Sequence, residues 1–288
     1  MKSPLFLLSL LFFLYSCTSR EQVITVRGSD TMVALGQKWA EVYMNKFPEE
    51  TVQVNGGGSG TGIAALINRT ADICQSSRPM KASEHKKIRE KFGRDVIEIP
   101  VAKDGIVIYV HESNPVAKLS ISQIRKIYTG KIQNWKELGW EDKRMIVYGR
   151  ENSSGTYEFF KKAVLEGEDF VDYVQTLPGT AAIVNAVSKD KYAIGYGGNA
   201  YSQGIRLVPV SRTDSSEAVE ANEATVTSGE YPISRDLYFY LAKEPSNALA
   251  RFIEWVLSDE AQEIVTAQGY FPIKTSKTHT KPTTSLTH

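Results

Sequence analysis

Three times along this chain a short β-branched run gives way to a turn rich in Gly, Ser and Thr, and each turn opens directly onto an apolar-periodic run. Val23-Ile24-Thr25-Val26 leads into Gly28-Ser29-Asp30-Thr31 and then a helical pattern through Leu35, Trp39 and Tyr43 that ends near Phe47-Pro48. Thr51-Val52-Gln53-Val54 leads into Asn55-Gly56-Gly57-Gly58-Ser59-Gly60-Thr61-Gly62 and a helix from Ile63 to Asn68. Met145-Ile146-Val147-Tyr148 delivers Arg150-Glu151-Asn152-Ser153-Ser154-Gly155-Thr156, followed by the amphipathic run Tyr157 to Lys162. Strands that alternate with helices in this way imply an α/β fold on mixed or parallel sheets.

The chemistry of these turns points to an anion. A helix start leaves its first backbone N–H groups without intrahelical partners and carries the positive end of the helix dipole, so an oxyanion settles there readily. In the third turn Ser154 and Thr156 add hydroxyl donors, Gly155 lets the backbone come close, and the Arg150 guanidinium can grip two oxygens at once. Taken alone, that turn is equally an ordinary Ser/Thr helix cap beside a solvated arginine. Three such turns could converge on one tetrahedral anion, each supplying N–H and O–H donors.

The remaining runs extend the alternation. Val96 to Val101 and Gly105 to Val110 read as two β-rich runs, His111 to Pro115 as a loop where the chain leaves a first lobe, and Ile121 to Tyr128 as a short helix. Ala181 to Val187 is a helix with a glycine-led start, Tyr192 to Tyr196 a strand, Ser211 to Gly229 a mobile polar surface connection, and Leu237 to Leu241 a strand that rejoins the first lobe. Ala248 to Ala267 reads as one closing amphipathic helix, and 275–288 as a disordered polar tail. A chain of 288 residues, 42% of them hydrophobic, can bury more than one core, so two lobes are expected: 23–110 with 232–274, and 111–231. A formal net charge of +1 gives no basic face for nucleic acid.

The N-terminus has the shape of a secretory signal: Lys2, an apolar run from Leu5 to Tyr15, then Ser16-Cys17, too short to span a membrane comfortably. Leu14-Tyr15-Ser16-Cys17 resembles a bacterial lipoprotein signal, which implies a peptide of 1–17 with lipidation at Cys17, although Tyr15 stands where a small residue is usual. A lipidated Cys17 leaves Cys74 as the single thiol, with no internal disulfide to form, and the setting Ala71-Asp72-Ile73-Cys74 marks it as a small buried hydrophobe.

Taken as an ordered set, Gly28 to Met32, Gly56 to Gly62, Ser76-Ser77-Arg78-Pro79-Met80, Thr129 to Trp135, the Arg150 turn, Leu177-Pro178-Gly179-Thr180, Ile194 to Gly198 and Tyr231-Pro232-Ile233-Ser234-Arg235 resemble the phosphate-binding proteins of bacterial phosphate ABC transporters. The resemblance runs from about Val23 to Lys274. It implies a two-lobed periplasmic-binding-protein fold of type II, each lobe a mixed sheet flanked by helices, with the ligand in the cleft between lobes and no cofactor or metal. It further implies a monomer, held at the cell envelope by its lipid, that presents inorganic phosphate to permease subunits.

Carried over position by position, the resemblance places ligand contacts at Ser29, Thr31 with the backbone N–H of Met32, Ser59, Ser77, Arg78, Arg150, Ser154, Gly155 and Thr156. One position departs from the family. Many members present an aspartate where this chain has Ser77, and that aspartate accepts the proton of hydrogen phosphate and repels sulfate. Asp30 and Asp104 are the candidates to replace it, and Arg78 either contacts the anion or pairs with one of them.

Other classes have less to stand on. The glycine loop lacks the Gly-Lys-Ser/Thr ending of a P-loop, Ser154 is outside a Gly-x-Ser-x-Gly elbow, and Ser59 has no evident histidine partner. The four histidines are His85 in a charged helix, His111 in a loop, and His279 and His288 in the tail, which leaves little for a metal cluster or a catalytic base. Trp135 and Trp140 either mark an exposed partner surface, as in an adhesive or phosphate-sensing protein, or pack locally. Within the binding class, sulfate or molybdate is the alternative ligand.

Overall fold

The computed structural model describes residues 22–273; the expected signal sequence 1–17, the expected lipidation site Cys17 and the expected tail 275–288 lie outside the described residues. In chain order the first elements are β1 (Gln22–Gly28), α1 (Val33–Lys46), β2 (Glu50–Asn55), α2 (Ser59–Ile67), β3 (Ile73–Ser76), α3 (Ala82–Phe92) and β4 (Ile97–Val110). There follow β5 (Leu119–Ser120), α4 (Ile121–Tyr128), β6 (Ile146–Arg150), α5 (Gly155–Ala163), β7 (Gln175–Leu177), α6 (Thr180–Val187) and β8 (Ala193–Gly198). The chain ends with β9 (Arg206–Val208), β10 (Val210–Ser211), β11 (Ala218–Val219), α7 (Glu223–Ser228), β12 (Ser234–Leu241), α8 (Asn247–Val256) and α9 (Asp259–Ala267).

The main sheet runs β2-β1-β3-β12-β4-β8-β6-β7, with β9 also on β4, while β11, β10 and β5 form a small separate sheet. The ladders are mixed: β1 is parallel to β2 and β3, β6 is parallel to β7 and β8, and β4 is antiparallel to both β12 and β8. Parallel neighbours separated by helices require crossovers, and this is why each βα turn of one half opens at the same end of its strands.

The fold is two-lobed, and β4 is the strand the lobes share. Its first half pairs with β12 from Ile97 to Gly105; its second half pairs with β8 from Ile106 to Val110. One core gathers Ile24, Val26, Leu35, Trp39, Tyr43, Phe239 and Phe252 around the first half. Another gathers Ile108, Tyr128, Trp135, Phe160, Ile183 and Tyr196 around the second. Local sequence explains the packing: Leu35, Trp39 and Tyr43 recur every four residues, so all three lie on the buried stripe of α1. The Trp39 indole also donates to the Ala261 carbonyl at 3.0 Å, which ties α9 to α1.

Several sequence expectations are corrected. The two β-rich runs around residues 96–110 are one strand, because Lys103 and Asp104, which look like an interruption, sit in register opposite Asp236 and Arg235 and pair with them. The closing helix is two, since the Ser258 hydroxyl accepts from the Ala261 N–H and starts α9 afresh. The segment 211–229 carries β10, β11 and α7 rather than an irregular connection, with the α7 start capped by Asn222. Of the two readings open for Trp135 and Trp140 the structure takes the local one: Trp135 is fully buried, donates to the Tyr192 carbonyl at 2.8 Å and meets Trp140 edge-on. No described helix is long and apolar enough to cross a membrane.

Candidate functional site

Four helix starts face one another where the lobes meet. After β1 the chain turns through a short 3-10 segment, Asp30–Met32, into α1; after β2 it turns through Gly57 and Gly58, both at positive φ, into α2 at Ser59. Across the gap β6 delivers Arg150 and the chain enters α5 at Gly155, and β7 leads through Gly179 to Thr180 at the start of α6. The Ser154 hydroxyl accepts from the N–H groups of Thr156 and Tyr157 and so caps α5. Gly58 is a steric requirement: a Cβ there would lie 2.7 Å from the Ser153 carbonyl carbon.

The contacts between these starts are polar and almost wholly out of solvent. Thr31 Oγ1 and Thr156 Oγ1 share a hydrogen bond of 2.9 Å, and the Gly60 N–H donates to the Ser153 carbonyl at 2.9 Å. Ser29 Oγ donates to Ser77 Oγ at 2.8 Å, and the Ser77 N–H donates to Ser59 Oγ at 3.1 Å. The Ser59 and Ser77 hydroxyls both face the Cα of Gly155. Arg150, 1% exposed, donates through Nη1 to Thr180 Oγ1 at 3.1 Å and through Nη2 to Asp30 Oδ2 at 3.0 Å, with Glu151 beside it at 3.2 Å. The second oxygen of Asp30 accepts from the Gly57 N–H at 2.7 Å.

A second guanidinium enters from β12. Arg235 donates to Asp104 Oδ2 through Nε at 3.1 Å and Nη2 at 2.8 Å, to the Ser77 carbonyl at 2.8 Å, and to Thr156 Oγ1 at 3.1 Å. Its guanidinium also lies 5.5 Å from the Phe159 ring, so this one side chain touches both lobes. Burial pushes the Asp104 carboxyl up and the Arg235 guanidinium down, each partly offset by the charge of the other. Sequence reasoning did not assign Arg235 or Thr180 to the site. A cation two residues ahead of the apolar run Leu237 to Leu241, and a Gly-Thr helix start, were the signals available.

The structure brings Ser29, Asp30, Thr31, Ser59, Ser77, Asp104, Arg150, Gly155 and Thr156 into this cluster and leaves three expected residues with other work. Arg78 pairs with neither aspartate: its Nη1 and Nη2 form a fork with Glu84 at 2.8 Å each, on the α3 side of the loop. Glu84 sits at the third position of α3, where its carboxylate also accepts the Lys81 N–H, so the helix start had already recruited the acid nearest to Arg78. Met32 buries its side chain in the first core and donates its N–H to the Ser29 carbonyl at 3.0 Å. Ser154 is spent on the helix cap.

The result is a largely buried, donor-rich junction with two guanidiniums, three carboxylates (Asp30, Asp104 and Glu151) and hydroxyls from both lobes. It can hold a compact anion through charge-assisted bonds, which are strongest where water is absent. His111 lies in a loop bonded to Ser113, and among the described residues no group of three or more His, Cys, Asp or Glu could hold a metal ion.

Comparison with known proteins adds an independent line. A family model described as the PBP superfamily domain matches residues 16–260. The phosphate-binding protein PstS of Pseudomonas aeruginosa is 35% identical over 263 residues, covering 85% of this chain and 81% of that protein. The Staphylococcus epidermidis PstS is 33% identical, covering 87% and 79%. Among solved structures, a putative phosphate ABC transporter substrate-binding protein from Clostridium perfringens, with bound phosphate, aligns with a TM-score of 0.80 at 31% identity over 88% of this chain and all (100%) of that one. An ABC-type phosphate transport receptor from Vibrio cholerae aligns with a TM-score of 0.69 at 25% identity, covering 87% of this chain and 100% of that one.

Proposed function

This chain belongs to the PstS family of phosphate-binding proteins within the PBP superfamily, and on that premise we propose that it captures inorganic phosphate between its two lobes and presents it to an ABC permease. The observation that carries the reading is the buried junction itself: Arg150 and Arg235, the hydroxyls of Thr31, Ser59, Ser77 and Thr156, and the starts of α2 and α5 converge from both lobes. An anion bridging these half-sites stabilises the closed arrangement by its differential affinity for it. In this reading lobe I takes 23–110 with 232–274 and lobe II takes 111–231, with β4, which runs from the first core into the second, as one connection between them.

The protein binds without turning over its ligand, acts as a monomer, and is held at the cell envelope by lipid on Cys17 once the segment before that cysteine is cleaved off. Anchoring of that kind needs more than one acyl chain to be firm. The test is calorimetric titration of the soluble chain from Thr18 onward, unfolded and refolded beforehand to strip bound anion. Saturable binding of one phosphate, lost in Arg150→Met, is the expected result. Absence of phosphate heat from a protein with an intact melting transition refutes the reading.

A further inference from the structure

The lobes also meet outside the anion junction. Lys81, immediately before α3 in lobe I, sets its Nζ 2.7 Å from Oε1 of Glu158, in the first turn of α5 in lobe II. Beside that pair a cavity of about 380 Å³ separates Arg78, Met80 and Lys81 from Glu158, Phe159 and Lys162, so the seam is bridged here by charge rather than by packed side chains. The same stretch of lobe II makes a backbone contact as well. The Ser153 carbonyl accepts the Gly60 N–H at 2.9 Å, and glycine leaves it room, since a Cβ on Gly60 would lie 3.2 Å from that oxygen.

The surrounding charges leave Lys81 and Glu158 for each other. Glu84 already takes the Arg78 fork and the Lys81 N–H, and Lys161 pairs with Asp169 at 2.6 Å. Lys162 stands one turn along α5 from Glu158, the spacing at which a glutamate and a lysine pair on a helix, so Glu158 has a cation to turn to when the lobes part. With Lys81 48% and Glu158 31% exposed, water and salt screen the bond, and its effect is that of a surface pair, a factor of about two to five in an equilibrium.

We propose that Lys81 and Glu158 form a latch across the seam that exists only while the lobes are closed, and that it tightens phosphate binding without touching the anion. This rests on the phosphate reading and the lobe division above. Among the described residues neither side chain bonds to a group of the junction; each bonds to the other. A contact present only in the closed form raises affinity by the factor with which it favours that form. The sign of one substitution separates a latch from a general field effect. Glu158 lies in the helix that opens on the junction, and exchanging its acid for a cation makes the surroundings more attractive to an anion. The latch requires the same exchange to weaken binding, because two ammonium groups would then face each other across the seam.

Anion-stripped wild-type chain from Thr18 onward, Lys81→Glu, Glu158→Lys and the exchange carrying both are titrated calorimetrically with inorganic phosphate, each checked by a ligand-free melt. Both single reversals should weaken phosphate binding by about three- to tenfold, and the double exchange, which restores the ion pair with its polarity reversed, should return to within about twofold of wild type. Tighter binding by Glu158→Lys, or a double exchange no better than the worse single reversal, overturns the latch. Should a reversal fail to fold, Lys81→Met, Glu158→Gln and their combination decide: losses that add refute the latch, and a combined loss no larger than either single one supports it. Variants that all match a phosphate-binding wild type sink the latch and leave the phosphate reading standing, whereas a wild type that binds no phosphate removes both.

Discussion

A methyl group at position 155 separates folding from closure. Gly155 opens α5 with no positive φ, so alanine fits its backbone, and as a helix residue it favours α5 by up to about 1 kcal/mol. The cost arises only where the lobes meet. The added Cβ would lie 2.6 Å from Ser77 Oγ, nearer still to Ser59 Oγ, and 3.0 Å from Ser59 Cβ. These are short side chains fixed by bonds to Ser29 and to the Ser77 N–H, so they cannot swing aside, and overpacking of this kind costs about 1–3 kcal/mol. Holding the lobes apart also strains the 2.9 Å Thr31–Thr156 bond and the 2.9 Å Gly60–Ser153 bond, each worth about 1 kcal/mol. The sum, about 3–5 kcal/mol, predicts phosphate binding weakened by roughly a hundredfold to a few thousandfold. Calorimetric titration gives the affinity, and a ligand-free thermal melt gives the stability. A Gly155→Ala variant that binds within threefold of wild type, or that melts several degrees lower without ligand, refutes the reasoning.

Other substitutions test separate contacts. Arg150→Lys keeps the charge but cannot span Asp30, Thr180 and Glu151 at once, so phosphate affinity should fall by about a hundredfold or more in the same titration. Arg235→Gln strands the fully buried Asp104 carboxyl without its counter-charge, at about 3–5 kcal/mol near neutral pH. Because burial already raises that carboxyl and the variant loses the opposing effect of Arg235, its stability should be retained at low pH and lost as pH rises through the elevated value; equal melting deficits at pH 5 and pH 8 would contradict this. For Glu84, burial raises the carboxyl, but the Arg78 fork and the Lys81 N–H outweigh it and hold it below the ordinary 4.5. Its contribution is therefore present above that value and lost as pH falls through the lowered one. Glu84→Gln should cost about 3 kcal/mol at pH 7 and converge on wild type in acid, read from urea unfolding at the two pH values.

Local sequence was sufficient wherever a short-range rule governs the outcome. The alternation of strand and helix, the Gly-Ser-Thr turns and the four-residue spacing of Leu35, Trp39 and Tyr43 follow from periodicity and from backbone donors that helix starts leave open, and they dictate an α/β chain with anion-ready turns. The ordered motifs dictated the family in the same way, since each depends on neighbours within a few residues. Long-range partners were decided only by the tertiary structure. Arg78 looked free to reach an anion until α3 placed Glu84 beneath its guanidinium, and Lys103-Asp104 looked like a break until β12 set Arg235 opposite. Asp30 and Asp104, which the sequence leaves as loose candidates, are held by partners 27 to 131 residues away in the chain. Burial makes such pairings compulsory, because a charge out of water must find a partner. Which partner it finds depends on the packing of whole lobes, and no local pattern encodes that.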